Sequence, residues 1–250
     1  MEILHIDNNG KKIYCVYHEP VNKEESVGVV FCNPLGQESI RCHGIYKSLS
    51  ESFVSRGIHV MRFDYYGTGD SLGDENEQTV HGFEDDIKAV MENFKEGCSL
   101  DRIVLIGARF GDYLALKVGL ECGADQVICW CPVTNGKKYL KELKYKYREW
   151  LNGSFVKDKK TPAAGMESFG FHYCVELVRQ IKKISVFCEM TNSGTGILLL
   201  DEYFHPAFHP ANCSYKKIVN RNFWVKQGSD RETKLIPVQE IEYILEWMQV

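Results

Sequence analysis

Nowhere does the chain carry an apolar run long enough to cross a bilayer. Its first residues, Met1 to Gly10, also lack the positive flank and long apolar stretch of a secretion signal. A cytoplasmic protein without membrane contact is the expectation. Positive charge is not in excess either: 30 Lys and Arg face 34 Asp and Glu, a formal net charge of -4, which offers no basic field to nucleic acid. No two of the ten cysteines are spaced as Cys-x-x-Cys, which removes the usual zinc and dithiol patterns. Cys15, Cys32, Cys129, Cys131 and Cys188 fall instead in strand-like runs, where a reduced thiol packs as a small hydrophobe. There is no internal repeat and no low-complexity tract. No metal and no cofactor are expected.

What is present is a chain of 250 residues, 44% hydrophobic and 26% charged, the size and balance of one α/β domain. Apolar runs alternate with helical patterns through the first half, which predicts a mostly parallel sheet flanked by helices. Lys12 to Tyr17 and Val27 to Phe31 read as a hairpin-like start. The loop Asn33 to Glu38, a helix from Gly44 to Arg56 and a strand from Ile58 to Phe63 follow. Asp64 to Ser71 is rich in turn formers, and Asp64 and Asp70 read as acceptors for backbone N–H groups. Thr79 is placed to cap a helix running to Lys95, with Glu84-Asp85-Asp86 in its early turns favouring the dipole. Gln126 to Pro132 reads as another buried strand. The Tyr- and Lys-rich stretch 136–170 shows no clear strand and reads as a cap inserted over the strand ends of a single domain spanning 1–250. A helix from Tyr173 to Lys183, a strand from Thr195 to Glu202, a last strand from Phe223 to Lys226 and a helix from Val238 to Met248 complete the pattern.

The apolar strand Arg102 to Ile106 runs into Gly107-Ala108-Arg109-Phe110-Gly111 and then into the helical pattern Asp112 to Leu120. Strand, tight Gly-x-X-x-Gly turn and helix make the setting in which a hydrolase presents an attacking Ser at the central position. Here that position is Arg109, whose guanidinium stays protonated at any working pH and can neither attack a carbonyl nor relay a proton.

The runs Asn33-Pro34-Leu35-Gly36-Gln37-Glu38, Met61 to Asp74 and Gly107 to Gly111 resemble the α/β-hydrolases of the serine-aminopeptidase-like group. The likeness is closest to the bacterial exosortase A system-associated hydrolase type, part of which also has Arg where Ser would stand. The resemblance implies an α/β-hydrolase fold with a small cap. It implies oxyanion-hole donors from Leu35, Gly36 and Gln37 and from the Phe110 N–H, and a triad acid at Asp201 or Glu202. It also implies a base after the last strand, where Lys226 to Asp230 contains no His. Two of three triad members are therefore absent.

Arg109 keeps two readings. At the start of a helix, beside backbone N–H groups, it makes a receptor for a carboxylate or phosphate; folded back onto Glu38, Asp64 or Asp112, it closes the old pocket. His205 and His209 stand among prolines that forbid a regular helix, so they are loop histidines or substitutes for the missing base, and His43 is a similar stray. Cys32 and Cys131 are core filler or displaced thiol nucleophiles. Tyr65, Tyr66, Tyr145, Tyr147 and Trp150 line a cleft or pack on one another. One function follows from the missing Ser and His: a degenerate hydrolase-like protein that binds a small anionic or acyl-bearing ligand in the old cleft. The alternative is an active hydrolase or acyltransferase on an ester, thioester or amide. It would draw on Arg109, His205 or His209, Asp201 or Glu202, and a cysteine.

Overall fold

A computed structural model describes residues 1–22, 26–154, 164–185, 194–202, 213–218 and 237–249. The chain opens with strands β1 (Glu2–Asn8) and β2 (Lys11–His18), joined at Asn9-Gly10, both with positive φ. Asn-Gly is the dipeptide a two-residue hairpin turn favours, because it tolerates φ > 0 at both central positions. Then come β3 (Val27–Cys32), α1 (Gln37–Val54), β4 (His59–Phe63), a 3₁₀ turn (Glu75–Glu77) and α2 (Val80–Gly97). These are followed by β5 (Arg102–Ala108), α3 (Phe110–Cys122), β6 (Gln126–Trp130) and α4 (Gly136–Gly153). The small antiparallel pair β7 (Met166–Ser168) and β8 (Phe171–Tyr173), then α5 (Val175–Ile181), β9 (Gly196–Asp201), β10 (Cys213–Lys217) and α6 (Val238–Met248) complete the described elements.

The main sheet has the order β1-β2-β4-β3-β5-β6-β9-β10. Only β1–β2 and β2–β4 pair antiparallel; from β4 to β10 every neighbour is parallel. Strand periodicity divides the core in two. On β3, Val29 and Phe31 face a cluster with α1 and α6, while Val30 and Cys32 face one with α2 and α3. A central parallel strand is covered on both sides, so its sequence is a continuous apolar run rather than an alternation. That is the mostly parallel, helix-flanked sheet expected of an α/β-hydrolase fold.

Several expected elements need correction. The opening hairpin pairs β2 with β1; Val27–Cys32 lies two places beyond β2 in the sheet, between β4 and β5 and parallel to both. Helix α1 starts at Gln37, well ahead of Gly44, because its N-cap is Gly36 at φ 56 and carries no side-chain capping signal. The stretch 136–170 contains the long helix α4 and strand β7. The last described strand is Cys213–Lys217, while Phe223 to Lys226 lies outside the described residues. Thr79 does cap α2, its hydroxyl accepting the Gly82 N–H at 2.9 Å.

Two glycines test this packing in opposite directions. A Cβ on Gly111 would collide with the carbonyl oxygens of Cys32 and Asn33, which are backbone atoms and cannot swing aside, whereas one on Gly44, inside α1, meets nothing within 4 Å. Gly111→Ala is expected to cost about 3 kcal/mol by overpacking, and Gly44→Ala to gain about 1 kcal/mol of helix propensity. Urea unfolding midpoints check both; a neutral Gly111→Ala would mean that α3 does not sit against β3 as described.

Candidate functional site

Strand β5 ends at Ala108, and the next residue turns the chain straight into α3. Arg109 adopts φ 54, ψ -121, a region that costs a side-chain-bearing residue of order 1–3 kcal/mol. The surroundings hold it there. Its N–H donates to the Trp130 carbonyl at 2.9 Å, its own carbonyl accepts the Asp112 N–H at 3.2 Å, and Gly107 and Gly111 bring α3 directly against the strands. Across from it, at the end of β3, Gly36 has a similar backbone, φ 56 and ψ -131, and starts α1. Two tight strand-to-helix turns thus meet at the C-terminal edge of the sheet.

The guanidinium at the tip does not reach solvent. Arg109 is 2% exposed; its Nε donates to Oε1 of Glu38 at 2.8 Å, and its Nη2 forms an ion pair with Oε1 of Glu142 at 2.9 Å. Glu38 lies in the first turn of α1 and is itself buried; its Oε2 accepts the Tyr139 hydroxyl at 3.0 Å. Tyr139, from α4, also lies under the guanidinium, 5.6 Å from ring centre to Cζ, and stacks on Phe110. Burial pulls the Arg109 proton affinity down, but Glu38 and Glu142 outweigh it and hold the guanidinium above its ordinary range. Burial raises Glu142 in turn, and Arg109 together with Lys146 overcomes that and depresses it to about 2. Tyr139 is pushed up by burial and then by Glu38, so it stays a donor.

The other sequence candidates fall into three groups. Leu35 and Gly36 lie on the turn before α1, while Gln37 and Phe110 are the first residues of α1 and α3. Asp201 closes β9, buried, with one carboxylate oxygen accepting the Glu202 N–H at 2.8 Å and its carbonyl accepting from Tyr215 and Ile218. Neither Asp201 nor Glu202 is an ionic partner of Arg109. His205 and His209 lie outside the described residues. Cys32 and Cys131 are fully buried, and burial pushes the Cys32 thiol far up, so it has no thiolate to offer. Asp64 accepts the Asp70 N–H at 3.0 Å, which makes it a turn-holding group; its partner in that bond is a backbone, so Asp70 contributes no carboxylate to it. Tyr147 and Trp150 pack on each other and on Phe169, and Tyr145 faces solvent.

Glu142, Tyr139 and Tyr173 were not singled out by the sequence. Glu142 had a faint signal, as the only acid between Gly136 and Arg148 in a helix otherwise studded with lysines, next to the inward residues Tyr139 and Leu143. Beside the elbow, a cavity of about 310 Å³ opens between the loop after β3, the loop after β4 and the β7–β8 pair; Leu35, Gly36, Asp64, Tyr65, Phe171 and Tyr173 are among its walls. Arg109 and Phe110 do not line it. Among the described residues, no group of His, Cys, Asp and Glu has the arrangement of a metal site, and no helix is long and apolar enough to cross a membrane.

The model of the serine aminopeptidase, S33, family matches residues 28–183, more than half of the chain. Among solved structures, Est1E from Butyrivibrio proteoclasticus with ferulic acid bound superposes with a TM-score of 0.65 at 16% identity, covering 98% of each chain. Proline iminopeptidase of Mycobacterium smegmatis gives 0.68 at 12%, over 99% of this chain and 98% of that one. The Pyrococcus furiosus esterase Pf2001 gives 0.66 at 16%, over 99% and 91%. At such identities the likeness establishes the fold. No curated protein matches the chain.

The ion cluster has a measurable signature. Glu38→Gln leaves the buried guanidinium with one carboxylate and is expected to cost about 3–5 kcal/mol. Glu142→Gln is expected to be milder, and its effect depends on pH. A carboxylate depressed to about 2 in the fold stabilises fully above its unfolded pKa, and the contribution fades as pH falls toward 2. The gap between wild type and Glu142→Gln in thermal unfolding should therefore be constant near neutrality and close between about pH 4.3 and pH 2. A gap that widens on acidification would contradict the assignment.

Proposed function

The chain belongs to the serine aminopeptidase, S33, family, and within it we propose that it is a noncatalytic member that works by binding a small molecule beside the silenced elbow. The observation that carries this is the Arg109 side chain, buried at the tip of the turn and held by Glu38 and Glu142. Acyl transfer by the route of this fold needs a nucleophile whose proton a base can take. Arg109 supplies neither an attacking atom nor a removable proton. In the chain order nucleophile, acid, base, Asp201 stands where the acid belongs, but no His occurs anywhere after His209. What remains of the machinery is the Phe110 N–H with the loop Leu35 to Gln37, donors that can hold a carbonyl oxygen without attacking the carbon.

The same geometry redefines the ligand. A carboxylate or phosphate reaching the guanidinium would have to displace Glu142, which Lys146 also holds at 2.6 Å, and would then lie next to buried Glu38. Displacing one anion by another there yields little. Helix α4 and the β7–β8 pair act as a cap: α4 presses Tyr139 and Glu142 onto the elbow, and β8 leaves the neighbouring cavity as the place for a ligand.

A fluorophosphonate probe is expected to label no serine of the wild-type protein, mapped by peptide mass spectrometry. Arg109→Ser is expected to give at most weak turnover of p-nitrophenyl acetate, since a Ser hydroxyl without a positioned base is a poor nucleophile near neutral pH. Labelling of any cleft serine, or turnover in Arg109→Ser comparable with that of an ordinary esterase, would show that a general base is already in place and would end the noncatalytic reading.

A further inference from the structure

The cavity beside the elbow contains one buried group that the fold leaves unused. Tyr173 is 3% exposed as a residue, but its hydroxyl is not among the solvent-excluded polar atoms left without a partner; it has no hydrogen bond to a described residue because it faces the cavity. It stands over Gly36, where an added Cβ would come within 2.5 Å of the hydroxyl oxygen, so the absence of a side chain at Gly36 is what keeps this part of the cavity open. Burial pushes the Tyr173 proton affinity up, which leaves the hydroxyl neutral and able to donate. A donor that faces a cavity instead of a protein acceptor is placed to meet a polar group of a ligand.

The charge of the walls selects the ligand. Among the described residues of the wall, Asp64 and Glu75 carry carboxylates, His172 is the single basic side chain, and neither Lys nor Arg contributes. An anion would meet two like charges there, whereas an ammonium would meet two opposite ones, with the faces of Tyr65 and Phe171 beside it to stabilise a cation further. Pro34, Leu35 and Ile40 add apolar surface, and Asn33, Ser39, Thr68 and Gln78 add uncharged polar groups. At the roughly 30 Å³ a water-sized group occupies, about ten heavy atoms fit.

We propose that this cavity binds a small organic amine with an aromatic or apolar body, its ammonium held by Asp64 and Glu75 and a polar group of its body meeting the Tyr173 hydroxyl. The assignment rests on the binding half of the reading above and not on the silence of the elbow. It also reverses the anionic ligand that Arg109 suggested from sequence.

The test is calorimetric titration and thermal shift with three probes of one shape: tyramine, 3-(4-hydroxyphenyl)propionate and 4-ethylphenol. Tyramine is expected to bind and to raise Tm, the carboxylate to do neither, and 4-ethylphenol to bind more weakly than tyramine. Glu75→Gln should weaken tyramine severalfold. Tyr173→Phe should weaken it by up to about tenfold while leaving the ligand-free protein at least as stable as wild type, because the hydroxyl it removes has no partner to lose. A Tyr173→Phe protein that is clearly less stable without ligand would show a structural role and overturn the proposal, as would equal binding of tyramine and the carboxylate. If 4-ethylphenol or the carboxylate binds with Tyr173 dependence and tyramine does not, the amine assignment falls and the binding reading stands. If none of the three binds, both fall.

Discussion

A guanidinium taken out of water must find carboxylates, and in this protein that requirement ties together three helices distant in sequence. Arg109 begins α3, Glu38 lies in the first turn of α1, and Glu142 comes from α4; with the Tyr139 hydroxyl they form one ionic and hydrogen-bonded unit at the C-terminal edge of the sheet. Removing any one member leaves a charge or a polar group stranded in a low-dielectric site. Through Tyr139 and Glu142 this unit fastens α4 over the elbow.

The backbone of the turn has a strained form although its central residue is an arginine. Arg109 has the same unusual φ that a nucleophile elbow imposes, fixed by the Trp130 carbonyl and by two glycines that admit α3 against the strands. Such strain persists only where its surroundings over-determine it. Here the surroundings are the parallel strands β3, β5 and β6, which the fold needs whether or not it catalyses. At this strand-turn-helix the central residue is a cation anchored by Glu38 and Glu142, and the cavity lies one loop away, beside Tyr173.

The strands and the elbow were legible because they depend on local pattern: apolar runs bounded by glycine and turn formers, and Thr79 with its side-chain cap. Elements that carry no such mark were lost. Helix α1 begins on a glycine cap, so its first turn, with Glu38 in it, read as loop. Strand β1 escaped although Asn9-Gly10 marks its hairpin, and β10 is short and ends in Lys216 and Lys217, with little apolar signal. The ion cluster was half legible. Glu38 was among three candidate partners for Arg109, but the pairing of Glu38 with Tyr139, 101 residues apart, and of Arg109 with Glu142 depends on how α4 packs, and one sequence cannot show that.

The Arg109 guanidinium is a fixed, solvent-excluded part of the fold, and nuclear magnetic resonance of protein labelled with ¹⁵N-arginine reads this directly. The Nε–H signal of Arg109, assigned by its loss in Arg109→Lys, should exchange with water far more slowly than that of exposed Arg148, and the protection should collapse in Glu38→Gln. An Arg109 signal exchanging as fast as Arg148 in the wild-type protein would mean an open, solvated guanidinium. It would return the elbow to the status of an accessible site.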